Sequence, residues 1–442
     1  MIRRLVALAC LAAVALPAAV ALADPPWSPT QNLSTPHVFL DPVGVTASGD
    51  GTALAWWSWQ DGTGREAPTG VGLASRPPGG AFGPERAAPA GTIDIQGYAQ
   101  TRAIALTERT IGLSFPTRLS AAFGATNGAF GSARRIVDEN AIGGIPQLAV
   151  NAKGDAAIAY YRNLGATNNR VMVSLRRAGG SFGAPLQIAH GRIRSVAVAV
   201  GPRGDVLVAW DARGTIQARY RSPNARGFQP IETISSDPTF FAQIQAAVTD
   251  GGRSYVAWSA KFLSEGGSQG PVFDEVAVRP SGHRFRTAQR LERDSESFAQ
   301  RPVALALTGS RDATVAWTGF DGTNARVRVA STDPSARFGA PQDVSPAGRD
   351  GVVSDLAAAG GTRLVVWDNG SFDANQVFAA LSGPGAAFGP AEAVSAAQEA
   401  RGGRATFAGA PTIVWTNRPA GSHPPGGLDA LQTFAQTATR TG

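Results

Sequence analysis

A single cysteine, Cys10, stands among 442 residues, and it lies inside an apolar N-terminal run. Once that run is removed the chain has no thiol, which excludes disulfides, cysteine-ligated metals and a cysteine nucleophile. The four histidines, His37, His190, His283 and His423, fall far apart with no paired spacing, so zinc and haem have no sequence signal. Only Lys153 and Lys261 are lysines. The remaining basic residues are arginines scattered singly, without basic clusters interleaved with aromatics, and nucleic-acid binding is not expected. Beyond the N-terminus no stretch reaches the roughly 18 uninterrupted apolar residues of a membrane helix.

The N-terminus itself carries Arg3 and Arg4, an apolar stretch from Leu5 to Leu22, and Ala21-Leu22-Ala23 ahead of Asp24. That order reads as a secretory signal over residues 1–23, cleaved before Asp24. The mature chain, 24–442, is expected outside the cytoplasm, secreted or periplasmic, soluble and monomeric. Loss of Arg3 and Arg4 from the 40 basic residues leaves 38 against 33 acidic ones, a mature net charge of about +5.

What the chain has in quantity is glycine and proline, 53 and 30, at regular punctuation points. Between them a phrase recurs roughly every fifty residues, a hydrophobic run ending in Ala-Trp or Val-Trp and followed by Phe-Gly-x-Pro. The anchors are Trp56, Tyr160, Trp210, Trp258, Trp317, Trp367 and Trp415, with a degenerate copy at Thr110 to Phe115. Each unit reads as four strands: in the fourth, Arg194 to Val200, Asp205 to Trp210, Thr215 to Arg221, and a last strand from Phe228. Short strands rich in Val, Ile and Ala suit the inner part of a blade, and small residues such as Ala197, Ala199, Ala304, Ala306, Ala357 and Ala358 suit a crowded axis. The fold class is therefore all-β, one β-propeller domain of eight four-stranded blades, or seven if the Thr110 copy forms no blade.

The last unit lacks a fourth strand, and the segment Trp27 to Ser34 resembles the fourth-strand segments Phe338 to Ser345 and Phe388 to Ser395. The N-terminal strand is expected to complete the last blade and remove two sheet edges. Second-to-third and fourth-to-first connections share one face, called here the loop face; the tight first-to-second turns occupy the other, the turn face. Long connections, Ser259 to Asp274 and Thr416 to Gly427, lie on the loop face, the usual place for recognition. There the sequence puts acidic residues after the second strand, Asp61, Asp211, Asp321, Asp368 and Asp373, and arginines at the start of first strands, Arg102, Arg194 and Arg301. Together they suggest a polar rim for a sugar or an anionic group, against the reading that they are solvated loop charges.

Other motifs yield to the repeat. Gly-x-Ser-x-Gly at Gly179 to Gly183 and at Gly266 to Gly270 lacks the strand-to-helix turn of a nucleophile elbow and reads as glycine-rich turn. Arg203-Gly204-Asp205 aligns with the turn Lys153-Gly154-Asp155. Asp368 to Asp373 offers oxygen ligands without the spacing of a calcium loop, so no cofactor is expected.

In the sixth unit, Ser331-Thr332-Asp333-Pro334-Ser335-Ala336-Arg337-Phe338 resembles the Asp-box of the sialidase superfamily, Ser-x-Asp-x-Gly-x-Thr-Trp, at the turn where that family carries it. Ser331 and Asp333 match; Ser335, Arg337 and Phe338 replace Gly, Thr and Trp. The repeated unit as a whole is loosely similar to sialidase and WD40-like propellers. The Asp-box is a structural turn, so the resemblance implies fold more than catalysis. Sialidases have six blades, an arginine triad, a Tyr-Glu nucleophile pair and an acid Asp. Arg301-Pro302 is similar to the first arginine motif of that family, with Arg194 and Arg102 in equivalent strand positions. No Tyr-Glu pairing is assignable among Tyr98, Tyr160, Tyr161, Tyr220 and Tyr255. The expected function is a non-catalytic binding or scaffold module for a glycan or an extracellular protein; the alternative is a sialidase-like glycoside hydrolase.

Overall fold

The computed structural model describes residues 27–62, 67–110, 116–138, 142–165, 167–212, 214–235, 239–263, 269–293, 302–370, 374–419 and 432–440. They form eight four-stranded antiparallel sheets. Blade 1 consists of Phe39–Ala47, Ala53–Gln60, Thr69–Arg76 and Arg86–Ala87. The first strands of blades 2 to 8 are Thr92–Tyr98, Ile142–Val150, Val196–Val200, Thr239–Val248, Ala304–Leu307, Val352–Ala359 and Glu399–Ala408. Each first strand touches those of both neighbouring blades, and blade 8 touches blade 1, so the ring is closed with the first strands innermost. No helix among the described residues is long and apolar enough to cross a membrane.

The recurrent aromatic is the packing anchor. Tyr160, Trp210, Trp258, Trp317, Trp367 and Trp415 are fully buried at the fifth residue of the core second strand, inside the apolar layers between blades. In blade 1 that position belongs to Trp57, not Trp56: Ala47 pairs with Ala53 as Val200 pairs with Val206, which puts Trp57 level with Trp210. A side chain one residue along a strand points to the other face. Trp57 accordingly packs with Leu33, Ala408 and Val414 toward blade 8, and Trp56 with Ile95, Ala103 and Ala105 toward blade 2.

Blade 1 fits its tryptophans by pairing them with glycine. Trp56 lies opposite Gly44, Trp57 opposite Gly72 and Trp59 opposite Gly70. A Cβ on Gly72 would stand 2.4 Å from the Trp57 Nε1 and 2.4 Å from a Glu85 carboxylate oxygen. Gly72→Ala is therefore expected to destabilise the protein by about 1–3 kcal/mol, the usual range for overpacking. Urea denaturation checks it; an unchanged midpoint would refute the packing account.

Blade 2 departs from the sequence reading. Its second strand is Arg102–Thr110, and of the copy expected at Thr110 to Phe115 residues 111–115 lie outside the described residues. Gly97 pairs with Ala103 as Ala47 does with Ala53, so Thr107 occupies the anchor position. Without a Trp to mark it, that strand was misplaced by one element. In the long connection 259–274, both described parts are strand, belonging to Ser254–Leu263 and Gln269–Arg279; residues 264–268 lie outside the described residues.

The Phe-Gly-x-Pro phrase is a clasp between blades. The Gln289 side chain donates to the Phe338 carbonyl (2.7 Å) and accepts from the Phe338 N–H (3.0 Å). Gln342 does the same with Phe388 one blade further on, at 3.0 and 3.1 Å. In each case a fourth-strand amide of one blade holds the turn of the next. Ring closure uses the same device: Gln31–Asn32 pairs with Phe434–Thr439 as the fourth strand of blade 8, and the Gln31 Nε2 donates to the Phe82 carbonyl of blade 1 at 2.8 Å. Trp27 is buried and donates through Nε1 to Glu392 of blade 7 at 2.9 Å.

The Asp-box-like turn is formed and structural. Asp333 accepts from the Arg337 N–H (2.9 Å) and the Ser335 hydroxyl (2.7 Å), and Phe338 is buried where the family has Trp. Ser181 lies exposed in a third-to-fourth turn, and Asp205 of the Arg-Gly-Asp tripeptide is wholly buried, held by Arg203 and Tyr220.

Candidate functional site

Second-strand residues just before the anchor position stand at one height in every blade, and their first-strand partners therefore form one ring about the axis. Five of these partners are polar: Asp94 in blade 2, Gln147 in blade 3, Gln245 in blade 5, Asp355 in blade 7 and Arg404 in blade 8. The other three are small, Gly44, Ala197 and Ala304. Ile95, Leu148, Ile244 and Leu356, next along the same strands, are buried between blades. Gln147 and Gln245 are instead exposed, and Asp94, Asp355 and Arg404 half-buried. An innermost strand has a blade on each side, so the water these side chains reach is that of the axial channel.

Local backbone irregularity aims four of the five. Asp94, Gln147, Asp355 and Arg404 are each the first paired residue after a bulge in the first strand. A bulge turns side chains that would otherwise follow the strict alternation of the strand. Asp355 is then fixed by main chain: its two oxygens accept from the Leu356 and Ala405 N–H groups, each at 2.8 Å. Arg404 donates through Nη1 to the Ser354 carbonyl at 2.5 Å. Asp94 accepts from the Gln96 amide at 3.1 and 3.2 Å. Blade 1 contributes only Gly44 between Arg404 and Asp94, and the charge of Arg404 acts on Asp94 across that gap.

Enclosure by protein nevertheless raises the Asp94 carboxyl to about 6, against the smaller opposing effects of Gln96, the Ile95 amide and Arg404. A raised carboxyl favours the folded state most when protonated. Its contribution is fully present below the ordinary Asp value and is lost as pH rises through about 6. Asp94→Asn should therefore raise the melting temperature by about 1–3 °C at pH 7.5 and leave it unchanged at pH 3.5. An equal shift at both pH values would contradict this.

A second concavity, of about 540 Å³, opens between blades 1 and 2, lined by Asp41, Ser58, Gln60, Thr69 and Glu108. Burial raises the Glu108 carboxyl above the usual range.

The residues expected to form a polar rim are dispersed. Arg102 opens the second strand of blade 2 rather than a first strand, so it sits exposed on the turn face, away from the others. Arg301 and Asp373 lie outside the described residues. Arg194 and Asp211 do meet: the Arg194 N–H donates to the Asp211 carbonyl (3.2 Å), the Asp211 N–H to the Ser195 carbonyl (3.1 Å), and Asp211 is wholly buried. Tyr161 joins them, its hydroxyl pushed up by burial and drawn down by Arg194. Asp321 caps its own loop, accepting from the Asn324 and Thr323 N–H groups (2.8 and 3.0 Å) and from Arg326 (3.0 Å), which hold its carboxyl down at about 2. Asp368 does likewise, binding the Gly370 N–H at 3.1 Å and the Asn375 amide at 3.2 Å. Asp61 accepts from His37 Nδ1 at 3.1 Å, with the His37 ring stacked on Trp59 at 4.6 Å. Since His37 also exchanges backbone hydrogen bonds with Thr433, this trio seals the joint between blades 8 and 1. Among the described residues no three metal-ligating side chains converge.

No family model and no curated protein matches the chain. Among solved structures it is similar to a polysaccharide lyase of family PL25, an ulvan lyase, at 10% identity over 75% of this chain and 89% of that one, with a TM-score of 0.47. The NanB sialidase from Streptococcus pneumoniae shares 9% identity over 78% of this chain and 67% of its own, with a TM-score of 0.40. A fucose-specific lectin from Aleuria aurantia shares 12% identity over 72% and 100%, with a TM-score of 0.37. At this distance the likeness concerns the propeller alone and says nothing of ligand or activity.

Proposed function

We propose that this propeller is an exported binding module that receives a polyhydroxylated ligand, the end of a glycan, in its axial channel without turning it over. The observation that carries the reading is the ring of two carboxylates, two carboxamides and one guanidinium at one height. Planar amides and carboxylates bridge neighbouring hydroxyls, and an otherwise small-residue wall leaves them room. Catalysis is disfavoured there because the two carboxylates of the ring are both engaged, Asp355 by main-chain N–H groups and Asp94 by the Gln96 amide.

A glycan-array screen, followed by calorimetry on the best binder, tests the reading. Arg404→Gln and Gln245→Ala should each weaken binding about tenfold or more, as loss of a hydrogen bond to a buried partner implies. Undiminished affinity in both variants would overturn it. N-terminal sequencing of the exported protein should begin at Asp24.

A second reading, glycoside hydrolysis, is favoured by one observation: Asp41 and Glu108 line the same cleft, and burial raises the Glu108 carboxyl. A carboxyl raised in this way suits the general acid of such a pair. Turnover of a fluorogenic glycoside that Glu108→Gln abolishes would move the function to that cleft.

A further inference from the structure

Arg279 ends the third strand of blade 5, Gln269–Arg279, and pairs with Ser254. Blades 1 and 3 carry arginine at the same register position, Arg76 opposite Ala53 and Arg176 opposite Ala156. Those two pin the turn face. Arg76 donates to the Ala408 carbonyl at 2.9 Å and to Thr439, and Arg176 to the Gly180 carbonyl at 2.8 Å and to that of Gly154. Arg279 is no less buried, at 2% exposure, yet its Nη2 donates to the neutral Gln229 side chain at 3.1 Å. Its Nε and Nη1 have no acceptor. Its guanidinium stacks 3.7 Å from the centre of the Tyr220 ring, and no carboxylate among the described residues lies within ion-pairing distance.

This unpaired cation lines a cavity of about 560 Å³ between blades 4 and 5, together with Arg203, Ser222, Asn224 and Ser281. Asp205, in the same wall, is already engaged by Arg203 and by the Tyr220 hydroxyl. Arg279 thus has no carboxylate in direct contact: Glu232 and Asp205 act on it only from beyond ion-pairing distance, and the neutral Ser222, Asn224 and Ser281 share its cavity wall. A buried guanidinium left unpaired is costly, and an oxyanion that completes its hydrogen bonds offsets part of that cost. Burial draws the Arg279 pKa below that of ordinary arginine, against the opposing effects of Tyr220, Glu232 and Asp205.

We propose that this cavity is an oxyanion site, taking a sulfate ester or carboxylate group on a ligand of monosaccharide size, with Arg279 as the charged partner and Ser222, Asn224 and Ser281 as neutral ones. It lies on the turn face and does not rest on the axial reading. Melting of the full chain, titrated with sodium sulfate or sodium glucuronate at ionic strength held constant with chloride, tests it. A saturable rise with at least one of the two anions, absent with chloride, is expected; which anion acts separates a sulfate ester from a carboxylate as the source. Arg279→Met, which keeps the aliphatic packing, should weaken half-saturation at least about tenfold, while Arg404→Gln should leave it unchanged. Should Arg279→Met fail to fold, Ser281→Asp places a carboxylate in the cavity wall and should abolish the rise. A response no different from chloride, or one that survives in a folded variant of this pair, overturns the proposal.

Discussion

Removing residues 27–36 should lower the melting temperature by about 5 °C or more in differential scanning calorimetry. The segment buries Trp27 and Leu33, worth about 1.5–3 kcal/mol each by area. It also supplies the Gln31 clasp, the Trp27 bond to Glu392, and the Ser34 hydroxyl that accepts from the Ala435 N–H at 2.9 Å. Together these exceed roughly 5 kcal/mol, and each kcal/mol shifts the melting of a chain this long by about 1 °C. Deletion would besides leave Phe434–Thr439 as an open edge strand, so the variant should aggregate on heating. A melt within about 2 °C of the parent would show that the ring does not depend on this joint.

Trp317→Ala should destabilise the protein by about 3–5 kcal/mol, measured by urea denaturation. Trp317 is fully buried between blades 5 and 6, where it packs with Tyr255, Val276 and Phe338. Its indole N–H also donates to Glu292 at 2.6 Å, a fourth-strand carboxylate of blade 5 that Arg328 holds from the other side. Truncation therefore opens a cavity and strips one partner from a largely buried charge. Trp317→Phe keeps most of the volume and should lose less than half as much. A loss below about 1 kcal/mol for the alanine variant would mean that the recurrent aromatic is not what joins the blades.

The propeller was legible because its anchors are large, rare and evenly spaced, and the closing strand because Trp27 to Ser34 repeats a fourth-strand phrase. Where the marker fails, so does the reading. Three tryptophans within four residues allowed Trp56 to stand for Trp57, and Thr107 in the anchor position hid the second strand of blade 2, carrying Arg102 to the wrong face. The axial ring could not be seen in the sequence at all. Its polar members come from five units, and bulges ahead of four of them break the alternation from which their direction would be inferred. Sequence spacing also could not show that Asp321 and Asp368 spend their carboxylates on their own loops.

The clasp between a fourth-strand amide and the next Phe-Gly turn has a bearing on ancestry. Gln289 with Phe338, Gln342 with Phe388 and Gln31 with Phe82 are one joint used three times. A copied blade therefore arrives carrying both halves of the joint, and fits between any two neighbours without inventing a new surface. Growth by tandem duplication then meets little resistance at the periphery. The number of blades is limited from within, by how many first strands can stand around one axis.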